Sequence, residues 1–230
     1  YYMAVIDIEE YLHRADSVDI YVEQATQKFS YNPILYIRKA NRQYVKGDLH
    51  GAVATFAEAQ QFAQTDSLRG ELWGYTGDAY HAMFERIRAG EKADTTGYKI
   101  RFSDKKALKL CFEAYEKALK LHPNNVMVLN NYAYFLSLDE INLNKALTMT
   151  HRANELSPNN ATYLDTYAWV LYQLGQYTQA KIYIDQALAA VKEDEESSTY
   201  YKHAGDIYWK IGDRKNARKF WKKAEDLEKE

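Results

Sequence analysis

The side chains that could do covalent or metal chemistry are scattered in this chain. The six histidines are His13, His50, His81, His122, His151 and His203, and no two are three or four residues apart. No single helix could therefore chelate a metal through a pair of them. Cys111 is the only cysteine, which excludes an internal disulfide and a cysteine-rich metal site. No glycine-rich phosphate loop, zinc-protease helix or nucleophile elbow occurs. Carboxylates number 32, too many for an adjacent pair to signify acid–base catalysis; Glu195 and Glu196 read as solvated members of an acidic link at 192–196. These residues predict a protein that is not an enzyme and holds no cofactor and no metal. The chemistry left is non-covalent. Tyrosine (21) and tryptophan (4) offer large contact area with a polar tip, and asparagine can pair with a peptide amide.

The elements that must position such groups are helices. The stretch 159–191 reads as two amphipathic helices joined at Leu174-Gly175-Gln176. Its first helix sets small Ala168 between Leu164 and Leu171, and its second sets Ala180 and Ala187 seven apart around Ile184. Helices that approach closely need small residues at the contact and large ones beside it. One hairpin cannot bury enough apolar surface alone, so the pattern has to recur. It does, as Ala52/Ala59, Cys111/Ala118, Ala146/Ala153, Ala180/Ala187 and Ala217/Ala224, with first members 59, 35, 34 and 37 residues apart. An earlier small slot falls at Ala40, Gly77, Ala133, Ala168 and Gly205. In this slot pattern Cys111 reads as a buried, inert thiol.

With Trp73-x3-Gly77-x2-Tyr80, Leu164-x3-Ala168-x2-Leu171, and Gly205-x2-Tyr208 followed by Gly212-Asp213 and Ala217, this pattern resembles the tetratricopeptide repeat (TPR) over residues 31–227. Pro123 and Pro158, each followed by Asn-Asn, sit where that family turns between repeats. The resemblance implies an all-α, right-handed superhelical solenoid of helix–turn–helix repeats. Residues 1–30 read as a degenerate N-terminal repeat or cap, with a break near 13–16. Residues 31–230 read as an array of about five repeats. The second clear repeat carries 22 extra residues, an insertion at about 84–105; its first helix runs on to about Ala89 and its second starts early behind Ser103 as N-cap. The projection at 85–106 is mildly basic, with seven Lys/Arg and four Asp/Glu. In the first clear repeat Lys39 precedes the Ala40 slot where the family has an apolar residue. The charged last helix suits the outer face of a terminal repeat, with a basic docking surface as the alternative.

In the family the first helix of each repeat lines the concave side. The face opposite the packed slots holds Asn41 and Tyr44, then Asp78 and His81, then Asn130, Asn131 and Tyr134, then Asp165, Thr166, Trp169 and Tyr172, then Lys202, His203, Asp206 and Trp209. These are the expected peptide-binding groove residues; the competing reading is that the aromatics fill gaps between repeats. The Lys/Asn/Arg clamp by which some relatives hold chaperone tails is not expected, because only Asn41 and Lys202 match parts of it and Tyr75, Met127 and Thr166 occupy other clamp places. A ladder of asparagines is not sustained around Asn131 either. The reading is a non-catalytic adaptor or assembly scaffold that binds a protein or peptide. Two alternatives stand: a structural or regulatory subunit docking through the 85–106 projection or the convex face, and an accessory region of a larger enzyme.

A net charge of −2 gives no bulk attraction to nucleic acid or an anionic membrane, and no run of 18 apolar residues exists to span one. The segments 130–134, 163–172 and 205–213 look like the C-terminal repeats of TPR proteins from Gram-negative bacteria, many of them envelope lipoproteins. That resemblance implies a periplasmic or envelope location, with the cytoplasm as the alternative. The chain opens abruptly at Tyr1-Tyr2-Met3, as a piece of a longer protein would, so a lipid-attachment cysteine would lie upstream.

Overall fold

A computed structural model describes residues 1–91, 96–97, 102–192 and 196–229. Among these the regular structure is entirely helical and divides into two units, Tyr1–Asn125 and Val126–Glu230. The first contains α1 (Tyr2–Tyr11), α2 (Ala15–Lys28), α3 (Pro33–Val45), α4 (Leu49–Phe62), α5 (Asp66–Arg88) and α6 (Asp104–Leu121). The second contains α7 (Val126–Leu138), α8 (Leu143–Leu156), α9 (Ala161–Gln173), α10 (Tyr177–Ala190), α11 (Ser198–Lys210) and α12 (Arg214–Leu227). Within each unit consecutive helices pair as hairpins, and each hairpin packs on the next. In the second unit α7 also packs on α9, and α9 on α11.

The helix boundaries follow local chemistry. Asn32 caps α3 by accepting from the Ile34 amide, with Pro33 just inside, where its missing N–H costs nothing. Thr65, Ser103, Asn160 and Asp213 cap α5, α6, α9 and α12 by accepting from backbone amides. After α9 the chain reverses through Gly175 at φ +75°, a conformation a side chain resists. The turn between α7 and α8 has one residue more, and there Glu140 (φ 53°) and Asn142 (φ 49°) take the left-handed conformation. The centre of the expected loop between α5 and α6, and most of the acidic link at 192–196, lie outside the described residues.

The recurrent small residues are where the helices touch. Ala40, Ala52, Ala59, Cys111, Ala118, Ala133, Ala146, Ala153, Ala168, Ala180 and Ala217 are fully buried, and Ala187 and Ala224 are 1% exposed. Around the 159–191 hairpin, Leu164, Leu171 and Ile184 join Ala204, Ile207 and Tyr208 of the next hairpin in one core. In the first unit Tyr36, Phe56 and Leu72 do the same around Ala40, Ala52 and Ala59.

Two slots hold glycine, and each has an aromatic partner. A Cβ on Gly77 would stand 2.7 Å from Tyr115, and one on Gly205 would stand 2.2 Å from Trp221. Both aromatics lie four residues after the first small residue of their own helix (Cys111 and Ala217). Each reaches over the glycine to the aspartate that follows it: Tyr115 donates its hydroxyl hydrogen to Asp78, and Trp221 Nε1 donates to Asp206 at 3.0 Å. In the hairpins with alanine slots the equivalent positions are Phe56, Thr150 and Ile184.

Lys39, atypical for its position, pairs with Glu23 of α2 at 2.8 Å. It belongs to a cationic ridge on α3. Arg38 pairs with Asp7 (2.5 Å) and Glu10 (2.8 Å), and Arg42 with Asp19 (2.8 Å). Hydrogen bonds from Lys39 and Arg42 hold the Glu23 and Asp19 carboxyls below their ordinary range, against the opposing effect of partial burial. The α2–α3 contact is thus partly ionic where other hairpins use apolar residues.

Candidate functional site

In the second unit the first helices of the three hairpins bring a set of the predicted residues together. Asn160 starts α9 by accepting from the Tyr163 amide at 3.1 Å. This start sets the rotation that turns Leu164, Ala168 and Leu171 to the core. Asp165 and Trp169 then fall on the side shared with α11, where Ser197 caps the helix that carries His203. Asn154 of α8 ties this arrangement down, donating to the carbonyls of Thr150 (2.9 Å) and Tyr163 (3.0 Å).

His203 Nδ1 lies 2.9 and 3.0 Å from the two Asp165 oxygens. A carboxylate only accepts, so this nitrogen carries the hydrogen and the imidazole is fixed in orientation. The pair is 4% and 6% exposed. The fixed imidazole stacks on Trp169, with centroids 4.1 Å apart and planes 15° apart. Tyr172 covers the indole at 4.7 Å and 9°. Tyr134 approaches His203 at 6.2 Å, and Tyr177 of α10 approaches Tyr172 at 5.5 Å. The result is a row of five rings, Tyr134, His203, Trp169, Tyr172 and Tyr177, drawn from four helices. Offset stacking of this kind is worth about 0.5–1.5 kcal/mol per pair beyond burial. Trp169 Nε1 and Asn130 Oδ1 are buried without a hydrogen-bond partner among the described residues.

The predicted face is less open than its helical spacing implies. Asn130, Asp165, Thr166 and His203 are buried, because α9 is packed by α7 and α11. Asn131, Tyr134, Trp169, Tyr172 and Asp206 are half-buried. Trp209 is 40% exposed, with the Arg214 guanidinium over its ring at 4.9 Å. Lys202 is exposed and pairs with Glu228. The residues missed from sequence are the partners: Glu228, Trp221 and Tyr115. For the last two the available signal was the glycine in the small slot, since a missing Cβ implies something large opposite. Glu196 also departs from its solvated reading, accepting from Tyr201 (2.5 Å) and Lys223 (2.6 Å), whose hydrogen bonds hold its carboxyl below the ordinary range.

The first unit holds the other four predicted residues. Asn41 and Tyr44 lie exposed on α3, and Asp78 and His81 lie on α5. His81 is 7% exposed. Burial, and then the nearby Arg88 charge, hold its pKa down at about 4, although Glu85 stands 4.0 Å away. The imidazole is therefore neutral in the fold at pH 7, and protons bind the unfolded chain first. Stability is full above about pH 6.5 and falls as the pH drops towards 4. At pH 5 the expected loss is about 2 kcal/mol by linkage. Urea unfolding at pH 7 and pH 5 should show it, and His81→Gln should remove that component.

Among the described residues no group of histidine, cysteine or acidic side chains is placed to hold a metal, and no helix is long and apolar enough to cross a membrane. Two tetratricopeptide-repeat family models match residues 114–149 and residues 161–190 and 195–230. No curated protein matches the chain in sequence. Solved structures show the same fold. MamA (residues 41 to end) from Desulfovibrio magneticus RS-1 is 18% identical with a TM-score of 0.58, over 86% of this chain and 95% of that one. YrrB, described as a TPR protein with an unusual peptide-binding site, is 19% identical with a TM-score of 0.56, over 90% of this chain and 91% of that one. A chain of the APC/C hetero-tetramer Cut9–Hcn1 is 12% identical with a TM-score of 0.73, over 97% of this chain and 39% of that one. Helical hairpins with small residues at every contact, repeat matches in the sequence and the fold of TPR solenoids agree: the chain is a tetratricopeptide-repeat protein similar to bacterial members of that family.

Proposed function

We propose that the protein is a non-catalytic adaptor or assembly scaffold, and that the face of α7, α9 and α11 holds a protein or peptide segment. The five-ring row carries this reading. It is rigid before any ligand arrives, because the Asp165–His203 contact and two stacked faces fix its centre. A surface ordered in advance loses less entropy on binding. Trp169 has both faces covered, so its role is to set the row. Contact falls to Tyr134, Tyr172 and Trp209, with Asn131 and Lys202 for polar groups. The exposed Asn41 and Tyr44 of the first unit are a second candidate surface of the same kind. The peptide-binding description attached to YrrB is consistent with such a use. For the compartment, the resemblance of segments 130–134, 163–172 and 205–213 to bacterial envelope TPR proteins supports a periplasmic or envelope location.

The test compares three proteins against a displayed library of unstructured peptides and against native lysate. They are the parent, a Tyr134→Ala/Trp209→Ala variant, and a chain with residues 90–102 shortened. Loss of the selected peptides from the double variant, by tenfold or more in affinity, is the expected result. If every ligand survived those changes and was lost on shortening the loop, docking through the 85–106 projection would be the better reading.

A further inference from the structure

The overall charge of −2 hides a strong local asymmetry at α12. From Arg214 to Ala224 the sequence is RKNARKFWKKA, with six cations and no acid. At about 100° per residue, the cations fill roughly half of the helix circumference. Ala217, Phe220, Trp221 and Ala224 fill the opposite side. That opposite side is committed: Ala217 and Ala224 are buried, Phe220 packs on Tyr208 at 5.0 Å, and Trp221 donates to Asp206. The two edges of the cationic arc are also engaged, Arg214 over Trp209 and Lys223 with Glu196. Its centre is not. Lys215, Arg218, Lys219 and Lys222 are exposed and form no ion pair among the described residues. By contrast, the acids of the first hairpin are largely neutralised by Arg38, Lys39 and Arg42, so that hairpin of a second copy offers this face little complementary charge.

We infer that the outward face of α12 docks on an anionic phospholipid bilayer. The arc is built of long flexible cationic side chains from Arg214 to Lys223, followed in the last turn of the helix by the exposed acids Glu225 and Asp226. It carries no exposed amide or aromatic side chain at its centre to stack on a base or read one, as nucleic-acid binding would use. A folded acidic partner would have to match the geometry of four unrestrained cations, whereas lipid headgroups move to meet them. The apolar side of α12 faces α11, so the helix cannot insert. Attachment is coulombic, peripheral and reversed by salt.

The test is co-sedimentation with vesicles of equal parts phosphatidylglycerol and phosphatidylcholine, and with phosphatidylcholine alone. The parent protein is expected to bind the first and not the second, and to be released at about 1 M sodium chloride, where the Debye length is about 3 Å. Each cation contributes about fivefold, so the Lys215→Gln/Arg218→Gln/Lys219→Gln/Lys222→Gln variant should lose several hundred-fold and fall to background. These positions are exposed and glutamine keeps helix propensity, so an unchanged circular dichroism melt is expected. A Lys105→Gln/Lys106→Gln/Lys109→Gln variant, altered on another exposed helix face, should bind as the parent does. Equal binding to phosphatidylcholine, undiminished binding by the quadruple variant, or failure of the parent to bind the anionic vesicles would each overturn the inference, the last even if it bound polyglutamate or an oligonucleotide.

Discussion

His203→Ala is expected to destabilise the second unit by about 2–4 kcal/mol, the cost of leaving a buried hydrogen-bond partner unsatisfied together with the loss of a stacked ring. The substitution leaves the Asp165 carboxylate buried without its donor and strips one covered face from Trp169. Asp165→Ala should cost a similar amount for the reciprocal reason. The pair together is a different matter. Two charges or dipoles taken out of water recover little net energy, so Asp165→Leu/His203→Phe should lie far nearer the parent than either single change. The phenyl ring also keeps a surface for Trp169 to stack on. Urea unfolding followed by circular dichroism gives the free energies. Tryptophan fluorescence gives a local readout, because three of the four tryptophans lie after residue 126. Single changes that cost under about 1 kcal/mol, or a double change as costly as their sum, would show that the contact does not organise the row.

Gly77→Ala is expected to destabilise the first unit although it improves helix propensity. The propensity gain is about 1 kcal/mol. Against it stands overpacking of about 1–3 kcal/mol, since the new methyl would sit 2.7 Å from a ring carbon of Tyr115. Tyr115 cannot yield, being fully buried and tied to Asp78. Overpacking therefore wins, by up to about 2 kcal/mol. Tyr115→Leu alone should cost about 3 kcal/mol through the lost ring and the lost donor to Asp78. In that background the sign of Gly77→Ala should reverse and become mildly stabilising, which chemical denaturation of the four proteins of the cycle would register. Gly205→Ala should be milder despite its shorter nominal contact of 2.2 Å, because Trp221 is only half-buried and can swing outward.

The contrast between these sites shows what the sequence could and could not reveal. The small residues seven apart were legible because close helix packing admits little else, and the structure buries every one of them. The start of α6 at Asp104 was legible because its capping side chain, Ser103, acts within three residues of itself. The set Asp165, Trp169 and Tyr172 was legible as one face of α9. Its burial was not, because α7 and α11 approach that face from 30 or more residues away in sequence, and no local pattern records how closely. Helical spacing separates the packed side of a helix from the rest; it does not say whether the rest meets water or another helix. The ionic α2–α3 contact had a trace in Lys39, which looked misplaced only because its partner, Glu23, lies on the preceding hairpin.

The exchange of glycine with an aromatic side chain bears on how such chains diversify. Gly77 belongs with Tyr115, and Gly205 with Trp221, across the two arms of one hairpin. Ala168 belongs with Ile184 in the same sense. Swapping a single arm between repeats would bring Tyr115 against an alanine, or leave a glycine facing Ile184 across a void. Swapping both arms together would not. The inheritable module in this protein is accordingly the matched hairpin, and recombination or design that cuts at the turns between hairpins preserves a fit that cuts within them destroy.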